Sequence, residues 1–225
     1  MSLIHLQSSR DLAALHGIKT LVYGGAGVGK TYLVSTAPAP VLISAESGVL
    51  SLRKFDIPVW PVNSVSDLYS AYNWLTQSQE AAQFKTICLD SISEIGEVCL
   101  TDAKKRNKDP RQAYGELIDE MLLLVKAFRD LPNKHVYISA KMENPDPDRN
   151  NQHQPFMPGT KLGPALPYMF DEVFHMGIGK DEKGVDYRYL RTQPDFQYDA
   201  KDRSGNLDAF EPPDLTHIFN KILRD

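Results

Sequence analysis

Short apolar runs alternate with amphipathic stretches along the first 140 positions. "IKTLVYG" (18–24), "VLISAE" (41–46), "PVWPV" (58–62), "TICLDS" (86–91) and "HVYISA" (135–140) are almost continuous in apolar character. That pattern predicts strands buried on both faces. Between them, "KTYLVSTA" opens as a helix and is stopped by "PAP" at 38–40. "SVSDLYSAYNWLTQSQ" places Val65, Leu68, Tyr72 and Leu75 at helical spacing, with serines near its start suited to capping. "QAYGELIDEMLLLVKAFRDL" (112–131) is the strongest amphipathic pattern and ends before Pro132. Strands alternating with helices predict an α/β fold with a mostly parallel central sheet.

The texture changes after Ala140. Residues 143–163 hold four prolines and little periodicity, which predicts an exposed loop. "EVFHMGI", "DYRYLRT" and "FQYDAK" then read as three shorter strands, a C-terminal β meander added to the sheet. "DLTHIFNKILRD" closes the chain as a helix over about residues 213–224. With no repeat and no Gly/Ser linker, residues 1–225 read as a single domain.

Composition narrows the class. Hydrophobic content of 42% and charged content of 24% are ordinary for a globular chain. A net charge of -4 argues against coating nucleic acid by overall charge, while leaving room for a local basic patch. Cys88 and Cys99 are too few for a disulfide framework and read as reduced thiols. The N-terminal stretch lacks a secretory pattern, and no run approaches the roughly 18 apolar residues of a membrane span. A cytoplasmic protein without a membrane partner is expected. The histidines show no ligand spacing.

The chemistry concentrates in "VYGGAGVGKTYL" (22–33). Gly24, Gly29, Lys30 and Thr31 fit G-x-x-x-x-G-K-[ST], with a predicted strand before and a predicted helix after. Phosphates need many converging N–H groups, and glycines let the backbone supply them without Cβ clashes. Gly24, Gly25, Ala26, Gly27, Val28, Gly29, Lys30, Thr31 and Tyr32 form the expected cage. The following helix N-terminus would add positive potential. Lys30 would reach the β/γ-phosphates of ATP, and the Thr31 hydroxyl would hold Mg²⁺. Asp90, ending a buried strand, is the second metal-positioning group; alone, such an aspartate is often a helix cap.

The order of these pieces resembles RecA-like P-loop NTPases. "VLISAESGVL" is similar to their acidic strand end, "ICLDSISEI" to their metal strand, and "QYDAKDRSGNL" to their K-x-[KR] element. The nearest likeness is to small phage-encoded RecA-like ATP-binding proteins, including those grouped with single-strand annealing proteins. The similarity runs over about residues 18–205. It implies a RecA-like core, and makes Glu46 the group that activates the attacking water. A positional role of that kind suits a carboxylate; an exposed loop glutamate is the plainer reading. It also implies that Lys201 and Arg203 reach the nucleotide of a neighbouring subunit in a homo-oligomer. A solvated turn is the alternative there.

Two further expectations follow from the resemblance. A DNA-facing loop should fall near "DAKKRNKDPR" (102–111), with Lys104, Lys105, Arg106, Lys108 and Arg111 on phosphates. A solvated charge run explains the same residues. The 143–163 loop takes the place of a second DNA-facing loop, although its basic residues are only Arg149 and Lys161. "SAKMEN" departs from the family's polar sensor, so Ser139 or Lys141 must serve if a sensor exists. Arg53 falls where an adenine-stacking residue would lie. The implied activity is Mg²⁺-dependent ATP hydrolysis coupled to single-stranded DNA in phage recombination or replication, in the host cytoplasm and alongside a single-strand-binding protein. A nucleotide-switched annealing or partner-recruiting module with little hydrolysis is the second class, and a small-molecule kinase the third.

Overall fold

The apolar runs become β1 (Lys19–Gly24), β2 (Pro40–Ser44), β3 (Val59–Pro61), β4 (Thr86–Asp90) and β5 (His135–Glu143). The computed structural model describes residues 8, 12, 15–46, 48–145 and 152–224. Beyond the long loop lie β6 (Gln154–Pro155), β7 (Glu172–Lys180), β8 (Asp186–Arg191), β9 (Lys201–Asp202) and β10 (Phe210–Glu211). They join in one sheet ordered β10-β8-β7-β1-β5-β4-β2-β3, with β6 on β5 and β9 on β7. β7, β1, β5, β4, β2 and β3 run parallel, and the β7-β8-β10 edge is antiparallel. The fold is α/β with a mostly parallel central sheet.

Continuous apolar runs are explained by burial on both faces, each strand sending alternate side chains to opposite layers. Leu21, Tyr23, Ile87, Leu89, Val136 and Ile138 join one core cluster. Val22, Cys88 and Tyr137, the residues between them, join the other. The first layer is closed by α2 (Val65–Gln77), α3 (Ile92–Arg106) and α4 (Pro110–Arg129). The second is closed by α1 (Lys30–Leu33) and α6 (Leu215–Ile222). A further short helix, α5 (Leu162–Ala165), follows the loop. Cys88 and Cys99 are buried free thiols in opposite layers.

Several boundaries carry the expected local chemistry. Ser64 caps α2 in a capping box with Asp67, and Asp109 caps α4 ahead of Pro110. The apolar pattern does not predict α3, although Ile92, Ile95, Cys99, Leu100 and Ala103 are buried at helical spacing. Gly96 disguises it: a Cβ there would lie 2.8 Å from Pro158 Cδ, so the glycine admits the 155–159 segment. The predicted strand 196–201 is also revised. Tyr198 makes an isolated parallel bridge to His153, Lys201–Asp202 pairs against β7, and β10 supplies the third strand of the meander. The predicted loop contains the short β6, and Arg149 lies outside the described residues. Among those residues, no helix is long and apolar enough to cross a membrane.

Two histidines make this sheet sensitive to acid. His175, only 4% exposed, stacks on Tyr198 at 3.9 Å beside Tyr23. Burial, with the positive charge of Arg191 and the neighbouring His153, lowers it to about 4. His135 Nδ1 accepts the Ile18 N–H at 3.1 Å and its ring stacks on Phe219. Burial with Lys19 and Lys85 lowers it to about 4 as well. Unfolded chains protonate histidine near 6.5, so below that pH the unfolded state binds more protons. Stability is therefore full above pH 6.5 and falls as the pH drops towards 4. For His175 the loss is expected to be on the order of 3 kcal/mol. Thermal melts across pH 7 to 4 should show it, with the slope reduced in His175→Gln; an unchanged slope in that variant would remove this residue's share.

Candidate nucleotide-binding site

The site is built where β1, β5, β4 and β2 end. The chain leaves β1 at Gly24, whose Cβ position lies 2.5 Å from the Met176 carbonyl oxygen. No side chain fits there. Gly27 (φ 75°) and Gly29 (φ 113°) adopt left-handed backbone that other residues disfavour. The loop folds around Lys30, whose Nζ donates to the Gly24 and Gly25 carbonyls at 2.8 Å each. Burial lowers the Lys30 pKa, opposed by the negative charge of Asp90 and Glu46. The helix beyond is shorter than the pattern implies: α1 is one turn, followed by a 3-10 turn over Val34–Thr36. An anion here would be held by loop amides and Lys30 more than by a helix dipole.

The strand order decides what faces this loop. β5 lies between β1 and β4, so its residues reach both. Asp90, 2% exposed, accepts from Thr31 Oγ1 at 2.6 Å and, through its other oxygen, from Ser139 Oγ. Burial raises the Asp90 pKa, and these two hydroxyls oppose the shift. Tyr137 Oη donates to the Lys30 carbonyl at 2.8 Å, pinning the start of α1.

Glu46 lies two residues past β2, whose Ser44 pairs with Asp90 across the sheet. The Ser44 hydroxyl donates to the Glu46 carbonyl at 2.8 Å and accepts its N–H at 3.2 Å. These bonds turn the chain so that Glu46 Oε1 accepts from Ser91 Oγ at 2.6 Å. The Asp90–Ser91 peptide is cis. Lys30, Thr31, Glu46, Asp90 and Lys141 line one cleft of ≈ 600 Å³ with the glycine loop.

The donor set fits Mg²⁺. A hydroxyl and a carboxylate already in contact are hard oxygen ligands, and Mg²⁺ characteristically completes its shell with phosphate oxygens and water. Among the described residues no cluster of three or more His, Cys, Asp or Glu could hold a metal by itself. Thr31 and Asp90 are therefore the residues that would hold magnesium alongside a nucleotide.

Other predicted residues lie elsewhere. Lys201 Nζ donates to the Pro167 carbonyl at 2.7 Å and to that of Phe170, within its own subunit. Its strand β9 pairs with the start of β7, level with the beginning of β1 and away from Gly24. Arg203 pairs with Asp171 at 2.8 Å and, with Lys19 and Arg129, lines a separate cavity of ≈ 530 Å³ at that edge. The expected basic loop is a helix corner. Lys104, Lys105 and Arg106 end α3, Lys108 lies in the turn, and Arg111 opens α4. Arg106 is taken up by Asp102 (3.3 Å) and Glu116 (2.5 Å), and Lys104 sits over the Tyr114 ring. None of these five lines the cleft. Arg53 is exposed and also outside it, whereas Ser51 lines it. Of the two sensor options, Ser139 bonds the Asp90 carboxylate, while Lys141 pairs with Glu94. The roles of Ser44, Ser91 and Tyr137 have no local sequence signal.

A family model described as an AAA domain (AAA_24) matches residues 16–204. The chain belongs to that family. No curated protein is significantly similar to this AAA domain in sequence. Solved structures resemble it distantly. A KaiC-like protein from the hyperthermophilic archaeon Pyrococcus horikoshii shares 16% identity over 78% of this chain and 77% of its own, with a TM-score of 0.43. A RadB recombinase shares 14% identity over 80% of this chain and 90% of its own, also with a TM-score of 0.43.

Proposed function

We propose that this AAA domain is a Mg²⁺-dependent ATPase whose nucleotide cycle is coupled to single-stranded DNA and to assembly with other copies of itself. One observation carries the catalytic part. Lys30, the Thr31–Asp90 pair and Glu46 converge on one cleft from three separate strand ends. Bound magnesium would neutralise charge on the phosphate oxygens. Lys30 offers an ammonium to the same oxygens, exchanging the carbonyls of Gly24 and Gly25 for them. Ser139 holds Asp90 in place. Glu46, steadied by Ser91, is placed to orient water and accept its proton. The family match is consistent with ATP as the nucleotide.

The DNA part rests on the corner between α3 and α4. Lys105, Lys108 and Arg111 are exposed there and form no ion pair among the described residues. A small basic surface suits phosphate contacts even on an acidic chain. Assembly rests on Arg203, exposed at an edge remote from its own P-loop, where a second copy is needed for it to meet a nucleotide. Lys201 would have to give up its carbonyl bonds to join it.

ATP turnover titrated with single-stranded DNA, with particle mass followed by light scattering, tests the whole. Magnesium-dependent turnover that rises with DNA, in particles heavier than a monomer, is expected. Turnover indifferent to DNA removes the coupling, a monomer at full activity removes assembly, and no turnover under any condition leaves only a nucleotide switch.

A further inference from the structure

The phosphate cleft continues around the outside of the glycine loop into a second cavity of ≈ 510 Å³. Gly27, Gly29, Tyr32 and Ser51 border both spaces. The far wall comes from parts of the chain remote in sequence: Met176 on β7, Arg188 on β8 and Pro213 ahead of α6. Its volume falls within the roughly 300–1,000 Å³ of small-molecule sites.

Its chemistry is that of a slot for a flat ring. Tyr32 is 49% exposed, and its ring is braced edge-on by Phe55 at 5.5 Å. Arg188, which lines the same cavity, donates through Nε to the Val28 carbonyl at 2.8 Å, fixing a planar guanidinium beside the loop. A Cβ on Gly29 would lie 3.3 Å from Arg188 Nε and 3.1 Å from Met176 Cε, so the hairpin packs directly on the loop backbone. A guanidinium plane, a phenol ring, a thioether and a proline all suit the face of a heteroaromatic ring. Among the described residues no carboxylate or amide side chain lines the slot, so the neutral polar groups offered to a base edge there are the Ser51 and Tyr32 hydroxyls.

We propose that this second cavity holds the nucleoside of the bound triphosphate, with Arg188 and Tyr32 gripping the base by its faces. The base is held without being read, so purine and pyrimidine triphosphates bind within about tenfold of one another. This rests on the P-loop reading above and adds the other end of the ligand. It also accounts for the β7–β8 hairpin, since Arg188 ties base occupancy to the conformation of the phosphate loop through Val28.

Binding of Mg·ATP, Mg·CTP and Mg·tripolyphosphate, measured by calorimetry, separates the two ends. Stacking of one base predicts that the native protein prefers ATP to tripolyphosphate by about 5- to 150-fold. Arg188→Ala should lose most of that preference while binding tripolyphosphate within about twofold of the native protein, and Tyr32→Ala should lower the preference as well. Both side chains are exposed, so the variants should fold. Equal loss of both ligands in Arg188→Ala would make the arginine a brace for the loop and overturn the proposal. So would an undiminished preference for ATP in that variant, or rejection of CTP by more than about a hundredfold. Lys30→Ala reports on the phosphate end alone. If it keeps tripolyphosphate, the P-loop reading fails and this inference goes with it, an outcome distinct from any seen with Arg188.

Discussion

In Lys30→Ala, MgATP turnover is expected to fall to background, a loss of at least about 10²–10³ in rate. The ammonium bonds the glycine loop directly and is half-buried, where charge is poorly screened. Removing it leaves the Gly24 and Gly25 carbonyls without their 2.8 Å partner. That costs about 1 kcal/mol of stability, too little to unfold a domain of this size. A steady-state assay together with a melting curve separates the two effects. Near-native turnover in a folded variant would end the assignment of this loop to phosphate.

Glu46→Gln should behave differently: ATP stays bound, and hydrolysis slows by about 10²–10⁴. The glutamine carbonyl can still accept the Ser91 hydroxyl that Glu46 Oε1 accepts at 2.6 Å, so the side chain keeps its position. What disappears is the capacity to take a proton. Calorimetric binding of MgATP combined with single-turnover hydrolysis reads the split. If the variant turns over within a few-fold of the native rate, Glu46 is a structural tie between β2 and the start of α3, and the base lies elsewhere. If ATP binding collapses together with turnover, the carboxylate acts through the fold of the cleft. Comparison with Lys30→Ala is informative because both residues line one cleft of ≈ 600 Å³ yet are expected to act at different stages.

Much of this arrangement was written locally. Glycines at 27 and 29 declare a left-handed backbone that other residues disfavour, and Gly29-Lys30-Thr31 follow in the one order that sets an ammonium and a hydroxyl on the same loop. The doubly buried strands were equally plain, because apolar runs bounded by Gly and Pro have few other uses. Capping residues Ser64 and Asp109 also speak only to their neighbours. The helix α3 went unseen because Gly96 answers to Pro158, far along the chain, and lowers the local helix signal.

The sequence by itself determined that a P-loop motif lies between a buried strand and a helix, and that acidic groups stand at or just past the ends of two later strands. Only the tertiary structure decided which of those groups meet. Apolar patterning says that a strand is covered on both faces and leaves its neighbours in the sheet open. Inserting β5 between β1 and β4 is what sets Ser139 on Asp90 and Tyr137 on Lys30. The same long-range packing turned Lys201 onto the Pro167 and Phe170 carbonyls and laid Arg188 against Val28, 160 positions away. Such meetings depend on sheet order and register, which are settled by the fit of whole layers and leave no mark at the residues that profit from them.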